Sequence, residues 1–238
     1  MKSNIAEIIE RDGFAALPGA ISPDLLSELS AAVASVEEGP GVVRRGEVYA
    51  FRNLFQNAPR TKSALHAPAL RELVGAVLGG DAFCVRGIFL GKSPRANWAV
   101  RWHQDATITV KERGDAVGFG PWSMKAGVQH VMAPPGVLSA MLSVRIHLDD
   151  CGEEDGAMKV IPTSHQYGRL PEDSIGQFTR VEATVCEAKK GCLVAMRPLL
   201  LHCSHRARRP GPRRVIQLDF SARKLPLPLE WNESYSLS

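Results

Sequence analysis

AFCVRGIFLGK, residues 82–92, is where the chain changes texture. It mixes aromatic and β-branched residues, lacks a helical spacing and is closed off by glycine, so it reads as a strand. Six further segments read the same way: WHQDATITV (102–110), LSAMLSVRIHLDD (138–150), GAMKVIP (156–162), TVCEAKKGCLVAM (184–196), LLLHCS (199–204) and RRVIQLDFSA (213–222). Gly, Pro, Asp and Ser separate them. Seven short strands in succession predict a β-sandwich or barrel.

Upstream the pattern is helical. IAEIIERDG (5–13) reads as a short helix stopped by Gly13, and FAALPG as a strand or turn. Ser22 and Pro23 form a helix start, a capping hydroxyl followed by proline at the first position, and LLSELSAAVASVEEG carries the period to Gly39. Residues 40–61 show no clear period, and PALRELVGAVLG (68–79) forms a second amphipathic helix. Only Gly79-Gly80-Asp81 separates the two halves, too little for independent domains. The expectation is one domain over 1–238: a helical buttress (1–80), a jelly-roll core (81–222) of the double-stranded β-helix, cupin-like class, and a C-terminal tail (223–238). The insert 114–139 breaks the strand pattern and reads as a long loop of the kind that forms lids or binding loops.

Composition excludes several classes. The 238 residues are 45% apolar and 23% charged, the balance of a soluble globular protein. No apolar run is long enough to span a membrane, and the acidic N-terminus is no signal peptide, so the expected location is cytoplasmic. The five cysteines contain no C-x-x-C pair and read as reduced thiols. The net charge of +4 is mild, but residues 197–214 hold six arginines and no acid. Such a patch suits nucleic acid; the preferred reading is a solvated loop with one or two functional arginines, and no nucleic-acid partner is expected.

The chemistry is carried by histidine and carboxylate two residues apart. His103 and Asp105 in WHQD have this spacing, and so do His147 and Asp149 in VRIHLDD. Side chains at i and i+2 of a strand share a face, so either pair could close on one ion. Candidates for a third ligand are His66, His130, His147, His165, His202 and His205. His202 stands out at the end of the apolar LLLHCS, ahead of an arginine-rich loop. Two histidines and one carboxylate form the facial triad of non-haem Fe(II) oxygenases, which leaves coordination positions open; a structural zinc site would be closed.

The ordered set is more specific than either pair. WHQD is followed about 50 residues later by DGAMKVIPTSHQYGRL, then by GCLVAMRPLLLHCS and, eleven residues after His202, by Arg213. Together with DGFAALPGAISPDLLSEL at the start, this resembles the phytanoyl-CoA dioxygenase family of Fe(II)- and 2-oxoglutarate-dependent oxygenases over residues 10–222. The resemblance implies His103, Asp105 and His202 as iron ligands. Arg213 would hold the distal carboxylate of 2-oxoglutarate with Ser204 beside it, and Gln104 would support. The guanidinium fork suits a carboxylate as lysine does not.

The implied cofactors are Fe(II), 2-oxoglutarate and dioxygen, and the implied reaction is hydroxylation of an unactivated C–H with release of succinate and carbon dioxide. Asp105 argues against the halogenating branch, which vacates that ligand position. Thr163 and Asp155 depart from the family's Gly and Asn in a turn. Arg145 stands where the family often has a tryptophan lining the cosubstrate pocket. It shares a polar face with Ser143, His147 and Asp149, opposite Val144, Ile146 and Leu148. If that apolar face packs under the helices, Arg145 looks into the barrel and meets an anion: 2-oxoglutarate or an acidic small-molecule substrate. A salt bridge to Asp149 or a neighbouring acid is the structural alternative. A metal-binding jelly roll without oxygenase activity, or an oxygenase acting on nucleic acid or protein, are the competing functions.

Overall fold

The computed structural model describes residues 2–237, so the expected domain limits Met1 and Ser238 lie outside the described residues. Helix α1 (Lys2–Asp12) ends at Gly13, whose φ of +86° suits glycine. A Cβ there would stand 2.5 Å from His165 Nδ1, so the close approach also needs glycine. Strand β1 (Phe14–Leu17) follows. The Ser22 hydroxyl accepts from the Leu25 N–H at 3.3 Å and caps α2 (Pro23–Ala34), an interaction worth about 1 kcal/mol. The expected run to Gly39 is too long. The helix stops at Ser35 and Val36 turns back into the core.

Residues 40–61 are less irregular than their sequence suggests. They hold β2 (Val42–Arg45), β3 (Glu47–Phe51), the single-turn α3 (Leu54–Asn57) and the start of a 3-10 segment, Pro59–His66. Helix α4 (Pro68–Leu78) then runs to Gly79. The strands that follow are β4 (Phe83–Lys92), β5 (Val100–His103), β6 (Thr107–Val110), β7 (Trp122–Lys125), β8 (Val128–Met132) and β9 (Met141–His147). After them come β10 (Met158–Val160), β11 (Thr184–Cys186), β12 (Leu193–Met196), β13 (His202–Ser204), β14 (Arg213–Ser221) and β15 (Tyr235–Ser236).

They form an eight-stranded sheet in the order β1-β12-β9-β14-β4-β3-β2, with β15 on β4, a four-stranded sheet β11-β10-β13-β5, and a three-stranded sheet β6-β8-β7. The pairs are antiparallel, and the fold is a mainly β jelly roll with N-terminal helices.

The large sheet separates core from site by strand alternation. On β9 and β14 the side chains of Leu142, Val144, Ile146, Ile216, Leu218 and Phe220 pack with Leu26, Leu29, Leu70 and Leu73 of the helices in one buried cluster. This is the largest of the three buried apolar clusters among the described residues, and burial of apolar surface stabilises by about 25 cal/mol per Å². The opposite face carries Ser143, Arg145, Arg213, Gln217 and Asp219. Strand β4 joins this division through a bulge. Its partners skip from Asp219↔Arg86 to Phe220↔Cys84. Cys84 therefore enters the helix-side core, while Arg86 stays on the polar face.

Two expected irregular regions are ordered. The insert 114–139 contains the β7–β8 hairpin, which pairs with β6. The tail 223–238 sends Leu225, Leu229 and Trp231 into a second apolar cluster and pairs β15 with β4. No helix among the described residues is long and apolar enough to cross a membrane. All five cysteines are free and buried.

Thr163 occupies a left-handed turn with φ +67°. A β-branched residue is poorly accommodated there. Thr163→Gly is expected to stabilise the protein by about 1 kcal/mol, a rise of about 2–4 °C in Tm for a chain of this size. A thermal melt at or below the wild-type value would show that the turn carries no such strain.

Candidate metal centre and its pocket

WHQD does not lie on one strand. Strand β5 ends at His103 and β6 starts at Thr107 in another sheet. Asp105 sits in the turn between them, where its N–H donates to Pro198 O at 2.8 Å and the Ala106 N–H donates to Gln104 O at 3.0 Å. The expected shared strand face is thus replaced by a turn that swings the carboxylate back over His103. Gln104 holds that turn. Its amide donates to Gly168 O at 2.8 Å and Leu199 O at 2.7 Å, and accepts from the Leu170 N–H at 2.8 Å. His202 likewise begins a strand rather than ending one, because Leu199–Leu201 precede β13.

Across the β13–β5 ladder His202 is the direct partner of His103. Their ring centroids are 4.1 Å apart. Each ring is fixed by the same device: Nδ1 lies 2.9 Å from the backbone carbonyl two residues earlier, Arg101 O for His103 and Leu200 O for His202. A carbonyl only accepts, so Nδ1 carries the proton and Nε2 presents its lone pair. His103 Nε2 stands 3.6 Å from Asp105 Oδ1 and His202 Nε2 3.8 Å from Oδ2. The three ligand atoms lie within 4.8 Å of one another. His202 Nε2 is buried and has no hydrogen-bond partner. Such an orphan is costly unless something fills the gap, and a metal ion fits this donor set.

The protonation states of Asp105 and His202 also suit a metal. Burial works against charge on Asp105, but His202, His103 and Arg86 hold its carboxyl well below the usual range. Burial pulls His202 down to about 3, so its ring is neutral. Burial also opposes charge on His103, but Asp105 outweighs it and holds that ring above its ordinary value. An ionised carboxylate and available ring nitrogens are the ligating forms.

Behind Asp105 lies a polar network absent from the sequence reading. Gln217 Nε2 donates to Asp105 Oδ2 at 3.4 Å and to Asp219 Oδ1 at 3.2 Å. Asp219 also accepts from Ser143 Oγ at 2.6 Å and from Arg86 Nε at 2.5 Å. Breaking such a buried pair costs about 3–5 kcal/mol, so the network fixes the orientation of the carboxylate. The alternation of β14 signalled Gln217 and Asp219. Arg86 was concealed by the bulge in β4.

The second histidine–carboxylate pair is occupied otherwise. Asp149 accepts from Arg214 Nε at 2.9 Å, Nη2 at 2.8 Å and the Arg214 N–H at 2.8 Å. His147 is buried with Nδ1 unpartnered, and burial, then Arg213 and Arg145, push it down to about 3. Among the described residues the one cluster able to hold a metal is His103, Asp105 and His202. His205 is an exposed loop residue, and its carbonyl accepts from Lys92 Nζ. His165 Nε2 contacts Glu10 O at 3.0 Å and ties the turn to α1.

The metal centre opens into a cavity of about 410 Å³. Arg213, Ser204, Gln104, Arg145 and Gln217 line it. The sequence matches the family model for phytanoyl-CoA dioxygenase over residues 9–215. The chain belongs to the phytanoyl-CoA dioxygenase family. Family membership makes it an iron- and 2-oxoglutarate-dependent oxygenase.

No match is found among curated proteins. Solved structures share the family's fold at low identity. AviO1 from Streptomyces viridochromogenes Tue57 is 21% identical with a TM-score of 0.70, covering 95% of this chain and 97% of its own. EctD from S. alaskensis, solved with 2-oxoglutarate and 5-hydroxyectoine, is 19% identical with a TM-score of 0.69 over 91% of this chain and 74% of its own. SnoK, a carbocyclase of nogalamycin biosynthesis, is 17% identical with a TM-score of 0.69 over 92% and 83%.

Deep in this dioxygenase-family pocket the guanidiniums of Arg213 and Arg145 lack a carboxylate partner among the described residues. Arg213 is 6% exposed and its Nε lies 3.3 Å from Cys151 Sγ. Arg145 donates from Nε to Gln217 Oε1 at 3.0 Å, and its Nη1 lies 2.6 Å from Met158 Sδ. The alternative pairing of Arg145 with Asp149 is therefore absent, and burial pushes Arg145 below its ordinary pKa. Lys92, missed in the sequence, is the cross-strand partner of Arg213. It donates to Ser204 Oγ at 3.3 Å and Gly156 O at 3.4 Å, and burial with Arg213 nearby pulls it to about 8. The arginine-rich stretch is dispersed. Arg197 pairs with Glu10 at 2.8 Å, Arg208 with Glu154 at 2.5 Å and Arg214 with Asp149 at 2.8 Å, leaving Arg206 and Arg209 exposed.

Proposed function

We propose that this protein is a single-domain hydroxylase that converts an unactivated C–H of a small molecule to C–OH while 2-oxoglutarate is split to succinate and carbon dioxide. The observation that carries the reading is the unpartnered His202 Nε2 beside Asp105 and His103. The three side chains would hold iron, leaving positions open for cosubstrate and dioxygen. Iron bound there supplies the activation of dioxygen that drives oxidative decarboxylation.

The chain's own residues bind and orient. Arg213 offers its guanidinium fork to the distal carboxylate of 2-oxoglutarate. Ser204 Oγ accepts from Lys92, so its own proton is free to donate to the same carboxylate. Arg145 lies within electrostatic reach of both Asp105 and Arg213. A buried guanidinium in this place is favourable only with an anion beside it, and the cosubstrate supplies one. Gln104 acts through the backbone of the metal-binding turn. Retention of Asp105 as a ligand supports hydroxylation over halogenation. A carbocyclase and an epimerase among the similar folds mean that substrate geometry selects the outcome.

The test supplies Fe(II), 2-oxoglutarate and dioxygen and measures succinate, first alone and then across a library of small molecules, with product mass as the second readout. Substrate-stimulated succinate with one added oxygen is expected. Metal binding without any succinate would make the protein a silent metal-binding jelly roll. In the same assay Arg145→Leu is expected to lower 2-oxoglutarate affinity by about tenfold, one charge-assisted contact. Unchanged 2-oxoglutarate saturation in a folded variant would remove Arg145 from the cosubstrate site.

A further inference from the structure

The rim of the pocket carries charge that neither the metal nor the cosubstrate uses. Arg52 follows β3 and Lys125 ends β7, 73 positions apart in the chain. A hydrogen bond brings them to the same place: Asn53 Nδ2, next to Arg52, donates at 3.2 Å to the carbonyl of Ala126, next to Lys125. Ala126 and Gly127 have φ of +53° and +75°, the two left-handed residues of a tight hairpin turn. The hairpin tip is thus pinned against the β3 end, and both basic side chains line the cavity. Among the described residues neither side chain has an ion pair or hydrogen bond.

The other charges of the cavity are already answered. Arg86 is neutralised by Asp219. Arg145 and Arg213 face the cosubstrate, and Asp105 is committed to the metal. The remaining acid, Glu233, is pushed up by burial, and the cations that act against that shift are Lys62 and Arg86. A loaded pocket therefore keeps two unpaired positive charges at its entrance. His130 reports the same field. Its Nδ1 lies 3.0 Å from Val128 O, and burial, Arg86, Lys125 and Arg52 all disfavour its charged form. A cleft lined by one sign of charge concentrates ligands of the other.

We propose that the substrate carries an anionic group, a carboxylate or a phosphate, which Arg52 and Lys125 hold at the rim of the pocket. The inference rests on the oxygenase reading for what happens at the far end of that molecule. The cavity of about 410 Å³ must also contain the cosubstrate.

The experiment uses the full chain with Mn(II) in place of iron and saturating 2-oxoglutarate. Binding of benzoate, phenyl phosphate and benzamide is followed by relaxation of their ring protons. At least one of the two anions is expected to bind saturably and benzamide not to bind. Whichever of benzoate and phenyl phosphate is preferred identifies the anionic group. Arg52→Gln and Lys125→Gln should each weaken that anion by about tenfold, the worth of a charge-assisted contact, while the Mn(II) resonance signal and its response to 2-oxoglutarate stay unchanged. The His130 ring should titrate at higher pH with the anion bound. The proposal is overturned if benzamide binds as well as the anions, if neither anion binds, or if both variants bind anions like the wild type. Failure of Mn(II) or 2-oxoglutarate to bind is read separately by electron paramagnetic resonance and counts against the oxygenase reading. In that case anion binding is still scored on the metal-free protein by line broadening.

Discussion

Asp105→Ala, His103→Ala and His202→Ala are each expected to abolish tight iron binding and succinate formation. The donors come from a turn and two adjacent strand ends, and three ligands are the minimum that this site offers. Removing one leaves two, with no fourth residue in reach among the described clusters. His205→Ala is expected to keep iron, since His205 lies in an exposed loop. Asp149→Ala is also expected to keep iron but to lose stability, because it strips Arg214 of three hydrogen bonds. Metal titrations of the five variants decide the assignment. Iron retained by His202→Ala, or lost only in Asp149→Ala, would move the site to the other histidine–carboxylate pair.

Arg213→Ala is expected to raise the 2-oxoglutarate requirement by roughly tenfold to a few hundredfold with little change in iron affinity. One charge-assisted contact contributes about 1.5–3 kcal/mol, and an unpaired carboxylate in a buried pocket costs more. Arg214→Ala provides the control. Its side chain is on the opposite strand face and occupied by Asp149. Its cost falls on stability, and 2-oxoglutarate saturation stays near the wild type. Equal effects at the two arginines would mean a diffuse basic patch and no specific carboxylate site. Saturation curves for succinate release, with iron affinity measured in parallel, separate the cases.

Much of this site was legible because strand alternation is a local code. The polar row Ser143, Arg145, His147 against Val144, Ile146 and Leu148 reads directly from β9. The row Arg213, Gln217, Asp219 against Ile216, Leu218 and Phe220 reads from β14. The helix-side cluster bears out the division. Ser22-Pro23 and Gly13 marked helix boundaries for equally local reasons, a side-chain cap and a left-handed stop. Asp105 does stand beside His103 and His202, but for a different geometric reason from the expected one, since the pair closes through a turn between two sheets and not along one strand. Val36 and the β2–β3 pair were missed, because a short edge hairpin has little periodicity and gains its order from the sheet it joins.

The residue types at the metal centre, the family and the jelly roll were set by the amino-acid sequence itself, through motif order, alternation and capping, which act over a few neighbouring residues. The tertiary structure decided which histidine–carboxylate pair is free. Asp149 is taken by Arg214, 65 positions away, and Asp105 is not. It also decided that Arg86 supports Asp219 across 133 positions and that Arg52 and Lys125 share one rim. Charge pairing depends on distance in space, and a chain that folds back through three sheets brings together groups that no local pattern relates.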